Sequence, residues 1–192
     1  DALLILFRTV ALWRATETSG TRSNAVQAGI AVGLAILSKG VAGILAPAAL
    51  FLAAPFAASQ RRRALEIAAV GALVALPWYA AQVWLEGSVF VASHLGYEVI
   101  ERALRPIHGS GAPWTYPLSV LRENAGIWVA VVPVVVVLRC WSDRAARQAA
   151  LPWLYAAVLT LAAAMSMQTK LPWYVLPALP MLAVAAGMSL VV

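Results

Sequence analysis

Long apolar blocks, rather than amphipathic stripes, set the rhythm of this chain. About seven are legible, at 2–13, 24–38, 40–58, 64–86, 120–138, 149–166 and 171–192. Blocks such as Ala64–Leu85 and Ala150–Ser166 approach the ~20 apolar residues that a helix needs to cross a bilayer. A soluble helical domain would carry polar residues on one face at a 3.6-residue period, whereas these blocks are apolar all round. The pattern predicts an all-α, polytopic transmembrane helical bundle, a single domain over 1–192. Turn residues at Thr18–Ser23 (with Gly20), Ser38–Gly40 and Ser142–Asp143 punctuate it. One long polar insert, about 87–119, interrupts it. Within that insert, Val91–Leu104 reads as an amphipathic helix, with Tyr97, Glu101 and Leu104 on one side and Glu98, Arg102 and Arg105 on another.

Composition supports this class: 62% of residues are hydrophobic and 11% charged, against roughly 25% charged in an average soluble domain. Mean hydropathy is +0.82. The net charge of +6 does not point to nucleic acid, because the arginines are dispersed over short loops, as topology signals are. Linkers 14–23, 59–63 and 139–148, here called face one, carry Arg14, Arg22, Arg61, Arg62, Arg63, Arg139, Arg144 and Arg147. Face two holds 39, 87–123 and 170. By the positive-inside rule face one is cytoplasmic, and face two is periplasmic or exterior in a bacterium. Arg8 falls inside the first block and is expected to face other helices. Cys140, the single cysteine, excludes an intrachain disulfide. The chain opens at Asp1 without a charged leader and closes at Val192 within an apolar block. It is therefore expected to be an internal fragment, lacking a first loop and a C-terminal part.

Segment lengths bring the face-two charges toward membrane depth. Asn24–Leu37 is 14 residues, which rise only about 21 Å against a hydrocarbon core of about 30 Å. Lys39 is thus placed at or just below the outer surface. Ala125–Leu138 is equally short, and Arg122-Glu123-Asn124 before it is expected to start the helix within the outer membrane zone, around a polar vestibule.

The residue types at face two suit phosphate or sugar. Lys39 precedes Gly40, which lets the backbone turn tightly and leaves an ammonium uncovered, though a lysine at a helix end also snorkels. The insert carries Ser93, His94, Tyr97, Glu98, Glu101, Arg102, Arg105, His108, Gly109, Ser110, Gly111, Trp114 and Tyr116. Its charges suit a solvated surface helix; alternatively, exposed amides in His-Gly-Ser-Gly with two arginines suit a phosphate. Lys170 is either an interfacial anchor or a further cation. A divalent metal on His94, His108, Glu98 and Glu101 would match no dedicated ligand spacing. The Leu-Pro-Trp-Tyr motif at 76–79 and again at 171–174 reads as an aromatic belt.

Four ordered stretches resemble a known family. They are Gly-Leu-Ala-Ile-Leu-Ser-Lys-Gly at 33–40, Leu-Pro-Trp-Tyr at 76–79, Glu-Arg-Ala-Leu-Arg-Pro-Ile-His-Gly-Ser-Gly-Ala-Pro-Trp-Thr-Tyr at 101–116, and Thr-Lys-Leu-Pro-Trp-Tyr-Val-Leu-Pro-Ala-Leu-Pro at 169–180. Together they are similar to the bacterial lipid A aminoarabinose transferases and protein O-mannosyltransferase-like enzymes, glycosyltransferases of the GT-C fold. The resemblance implies a membrane enzyme that uses a polyprenyl-phosphate-linked sugar donor and a lipid or protein acceptor at the outer face of the cytoplasmic membrane. It implies that Lys39, Arg102, His108, Tyr116 and Lys170 contact the donor; His94, Glu98, Glu101 and Arg105 of the insert are further candidates. The family's catalytic first-loop Asp would lie upstream of Asp1, leaving Asp1 an accessory role. Val99 stands where aminoarabinose transferases often have His. Two readings compete: a transporter or flippase of an anionic lipid-linked substrate, which should carry mid-membrane charges and duplicated halves, and a non-catalytic membrane scaffold.

Overall fold

The structure, a computed structural model, describes residues 1–17, 21–53, 58–107 and 109–191. Gly20, the end of the third apolar block and His108 lie outside the described residues. Among these residues run α1 (Ala2–Thr16), α2 (Arg22–Lys39), α3 (Leu45–Ala53), α4 (Ala58–Glu86) and α5 (Ser88–Val91). Then come α6 (Arg102–Leu104), α7 (Tyr116–Ala125), α8 (Trp128–Ser142), α9 (Arg144–Ser166) and α10 (Ala178–Val191). A π-helix, Ala92–Glu101, joins α5 to α6, and 3-10 turns cover Gly40–Ile44 and Pro172–Tyr174. The all-α expectation holds, and an antiparallel bridge between Gly111 and Thr169 ties two loops.

Four stretches among the described residues are long and apolar enough to cross a bilayer: Arg22–Ala53, Arg61–Glu86, Arg144–Ser166 and Pro172–Val191. A fifth results if α7 and α8, bent by 91°, are counted as one span. This is a multi-pass membrane protein; the seven apolar blocks do not map one to one onto these stretches, since Arg22–Ala53 takes in the second block and most of the third. The first block forms a helix of only 15 residues.

The second and third blocks are continuous in helical winding, yet the chain reverses between them. Gly40 adopts φ 56° and ψ −132°, a region that side chains other than hydrogen rarely enter. Gly43 then lies so close against the α2 backbone that an added Cβ would sit 2.4 Å from the Ile36 nitrogen. Leu50 of α3 ends beside Ala15, Arg63 and Ala64, at face one. The reversal leaves α2 and α4 parallel. Cβ atoms added at Gly29 and Gly33 would sit 2.4 and 2.5 Å from the Cβ atoms of Val70 and Val74, so both positions advance together. Close approach through small residues is how helices associate in lipid, where burying apolar surface against apolar tails gains little. Alanines extend the seam: Ala11, Ala28, Ala35, Ala46, Ala49, Ala150, Ala156 and Ala157 are wholly buried. Large apolar side chains such as Leu73, Trp84, Leu85 and Trp141 instead face outward.

Arg8 does face another helix. It is fully buried, with Nη2 donating to Thr160 Oγ1 at 2.7 Å and to the Ala156 carbonyl at 3.3 Å on α9. At face one, Arg63 donates to the Arg14 carbonyl and Arg139 to that of Ser189. Two expectations are corrected. The triplet Arg122-Glu123-Asn124 ends α7 instead of starting a span, because Gly126, at φ 57°, closes that helix through its amide to the Arg122 carbonyl. The Arg61–Arg63 and Arg144–Arg147 stretches are helical rather than linkers: α4 starts ahead of the first, and Asp143 caps α9 by accepting from the Ala145 and Ala146 amides.

Candidate functional site

Three separate elements deliver polar groups to one spot at face two. The end of α2 brings Lys39, whose ammonium pairs with Asp1 at the head of α1 and lies 5.5 Å from the centre of the Tyr174 ring. The helical run 88–104 brings Arg102. Its Nη1 donates to the Tyr174 hydroxyl at 3.2 Å and its Nη2 to Glu98 Oε1 at 3.2 Å. The 3-10 turn Pro172–Tyr174 brings Tyr174 itself, its ring turned to one cation and its hydroxyl bonded to the other. Lys39 and Arg102 also repel one another electrostatically. Two like charges gathered on one tyrosine, each paired with a carboxylate, form a site where an anionic ligand would compete with Asp1 and Glu98.

Arg102 stays charged here, since its hydrogen bond to Tyr174, and then Glu98, hold its pKa above the usual arginine value. A guanidinium has five donors. One is on Tyr174 and one on Glu98, while Nε makes no hydrogen bond despite lying 3.0 Å from Glu98 Oε2. Tyr97, 5.8 Å from the guanidinium carbon, backs it on another side.

The loop beyond Arg102 is fixed by a buried hub. Thr169 is 2% exposed; its amide donates to the Arg102 carbonyl and its hydroxyl to that of Arg105, while the hydroxyl accepts from the Ile107 amide. Gln168 and Lys170 amides donate to the Ala103 and Ser110 carbonyls. Backbone groups of Arg102, Ala103, Arg105, Ile107 and Ser110 are thus tied to 168–170.

Other expected residues are placed less uniformly. Lys170 is buried, and its ammonium donates to the Ala164 carbonyl at 3.3 Å, to that of Met165 at 2.7 Å and to that of Met167. It caps α9, and burial pulls its pKa below the ordinary lysine value. All three of its donors are engaged at that helix end, and its expected contact with the donor stays a proposal. Tyr116 opens α7 and packs half-buried on the core. His94 joins an aromatic group instead of the carboxylates: its ring stacks on Phe90 at 5.1 Å, and Nε2 is 3.2 Å from the Tyr79 hydroxyl. Glu101 and Arg105 are exposed. Among the described residues, no three His, Cys, Asp or Glu side chains are grouped as metal ligands.

Sequence reasoning missed Tyr174 and Tyr79. Both are the last residue of a Leu-Pro-Trp-Tyr motif, and both carry their hydroxyls to side chains of the 88–104 run. The repeat was the signal; reading it as an aromatic belt hid the difference between its Trp and its Tyr.

The chain is similar to curated proteins over 95% of its length. It is 33% identical to "Undecaprenyl phosphate-alpha-4-amino-4-deoxy-L-arabinose arabinosyl transferase 1" of Pseudomonas fluorescens (strain Pf-5). It is 30% identical to the transferase 2 of that strain and to the corresponding transferase of Pseudomonas aeruginosa (strain LESB58). The resemblance read from the motifs is therefore borne out at the level of these relatives. The chain spans about a third of their length, 34%, 32% and 34% respectively. No family model and no solved structure matches it.

Proposed function

We propose that this chain carries the phosphate-binding part of an inverting membrane glycosyltransferase, which moves a sugar from a polyprenyl-phosphate carrier to a lipid or protein acceptor. The observation that carries the reading is the convergence of Lys39 and Arg102 on Tyr174 at one end of the spans. The relatives' names, with undecaprenyl phosphate as carrier, support the donor class. A site at the rim of the bundle suits such a donor, whose prenyl tail stays in the bilayer while the phosphate reaches the cations. The arginine-rich opposite face supports a periplasmic location for this one, in a bacterial inner membrane.

In the reaction an acceptor hydroxyl forms a bond to the anomeric carbon as the bond from that carbon to the phosphate oxygen breaks. The electron pair leaves with the polyprenyl phosphate, and the acceptor proton goes to a base. Lys39 and Arg102 stabilise the charge that grows on the leaving phosphate, the interaction that lowers such barriers most. Asp1 is the counter-ion of Lys39 in the unliganded site, and Glu98 that of Arg102. His108 and Tyr116 remain proposed donor contacts, Tyr116 at the head of α7.

The test is transfer by the full-length protein in proteoliposomes, followed as release of polyprenyl phosphate. Arg102→Ala and Lys39→Ala should each lower turnover by about 100-fold or more while the protein still inserts. Wild-type turnover in both variants would end the reading. A transporter is less well supported: Arg8, a buried cation within α1, donates to Thr160 and the Ala156 carbonyl.

A further inference from the structure

We infer that Tyr79 and His94 are positioning residues, which set the spacing between the Lys39 ammonium and the Arg102 guanidinium; the inference rests on the phosphate-site reading above. Neither is placed to meet the ligand through a charge. What they share is that each sits next to one of the two cation-bearing elements.

Tyr79 lies on α4, and its hydroxyl is 3.5 Å from the Ile36 carbonyl of α2. That carbonyl already accepts the Gly40 amide, the bond that closes α2 one residue beyond Lys39. The Tyr79 hydroxyl is also 3.2 Å from His94 Nε2, and His94 is on the helical run that carries Arg102. The chain of contacts therefore reads α2 carbonyl, Tyr79 hydroxyl, His94 imidazole. With the single tyrosyl proton on the carbonyl, Nε2 of His94 donates in its turn. The pair also lies over the turn: a Cβ added at Gly40 would meet His94 Nε2 at 3.5 Å and the Tyr79 hydroxyl at 3.8 Å.

The clamp has rigid backing. Phe90 stacks on His94 with the rings 9° from parallel, and Trp78 and Tyr79 meet both edge-on. Such a clamp has a task here, because Ala92–Glu101 winds as a π-helix. That winding has poorer intrinsic stability than an α-helix and persists where surroundings impose it. At the far end, the Thr169 hub and Tyr174 hold Arg102. At the near end, the described side-chain hydrogen bond from the run to α4 is His94 to Tyr79. Releasing it loosens the near end of the run against the Lys39 turn, with both cations chemically intact.

The experiment measures the affinity of the full-length protein in nanodiscs for a polyprenyl monophosphate, in a cycle with Lys39→Gln. Tyr79→Phe and His94→Ala should each weaken binding by about two- to tenfold, the range of one net neutral hydrogen bond. His94→Gln, which restores a donor and an acceptor of similar reach, should recover most of the loss. In the Lys39→Gln background Tyr79→Phe should have no further effect, since no ammonium remains to be placed. Losses that multiply in that background, or no loss from either variant, would overturn the inference and leave the phosphate site standing. If instead Lys39→Gln and Arg102→Ala bind the monophosphate like the wild type, the site itself fails and the positioning role falls with it. Tyr79→Phe keeps the ring and its packing, so a monodisperse variant separates a positioning defect from a folding one.

Discussion

Two turns at the same face each present a lysine, and the structure treats the two in opposite ways. At Ser38–Gly40 the ammonium is left to side chains: Lys39 pairs with Asp1 and sits by Tyr174, with 34% of its side chain accessible. At 167–171 the ammonium of Lys170 folds back on its own helix and fills three carbonyls. The difference lies in who satisfies the helix end. Two carbonyls near the end of α2 have donors other than the lysine, because Ser38 Oγ serves Ala35 and the Gly40 amide serves Ile36. For α9 the Met167 amide serves Ala163, and Ala164, Met165 and Met167 fall to the lysine. A lysine at the C-terminal end of a span is free for a ligand when the backbone has already been capped without it.

The largest expected contrast follows directly. Lys39→Ala should lower transfer by about 100-fold with a thermal midpoint close to wild type. Lys170→Met should do the reverse, lowering stability by about 1.5–3 kcal/mol, the worth of charge-assisted hydrogen bonds. Turnover of its folded fraction should stay within a few-fold of wild type. Parallel unfolding and turnover measurements on the two variants check this, and a Lys170→Met protein that is stable but inactive would erase the contrast. Gly40→Ala comes next. At φ 56° a Cβ is strained, so the variant should cost about 1–2 kcal/mol and displace Lys39. Both stability and donor affinity should therefore fall, as neither lysine variant alone achieves.

Much of this was legible in the chain. Apolar blocks identified a helical membrane protein, and counting arginines divided its faces. The order of motifs picked out Lys39 and Arg102, which the structure brings to one tyrosine. The parts that were not legible share a physical cause: they depend on backbone direction, which residue type does not encode. The Ser38–Gly40 turn between the second and third blocks was read from the chain, but the packing of Gly43 directly on the α2 backbone was not. Lys39 and Lys170 look alike because carbonyl satisfaction is invisible in a string of residues. The two Leu-Pro-Trp-Tyr motifs were read by their Trp, whereas in each the Tyr does the connecting. His108 lies outside the described residues, so its expected role remains with the proposal.

The smallest effect tests which partner holds Arg102. Glu98 is an i,i+4 neighbour with half its side chain exposed, and pairs of that kind contribute roughly 0–1 kcal/mol. Tyr174 belongs to a distant element and is the leading cause of the raised Arg102 pKa. Glu98→Gln keeps the shape of the side chain and removes its charge. It should change the donor KM by less than about fivefold, and by less still at high salt, where exposed pairs are screened. Tyr174→Phe should have the larger effect at any ionic strength, because it removes the hydroxyl that Arg102 donates to while leaving the ring beside Lys39 in place. KM measurements on both variants at low and high salt decide the matter. A larger and salt-sensitive effect from Glu98→Gln would mean that Arg102 is aimed by its own helix, and that the convergence on Tyr174 is not what builds the site.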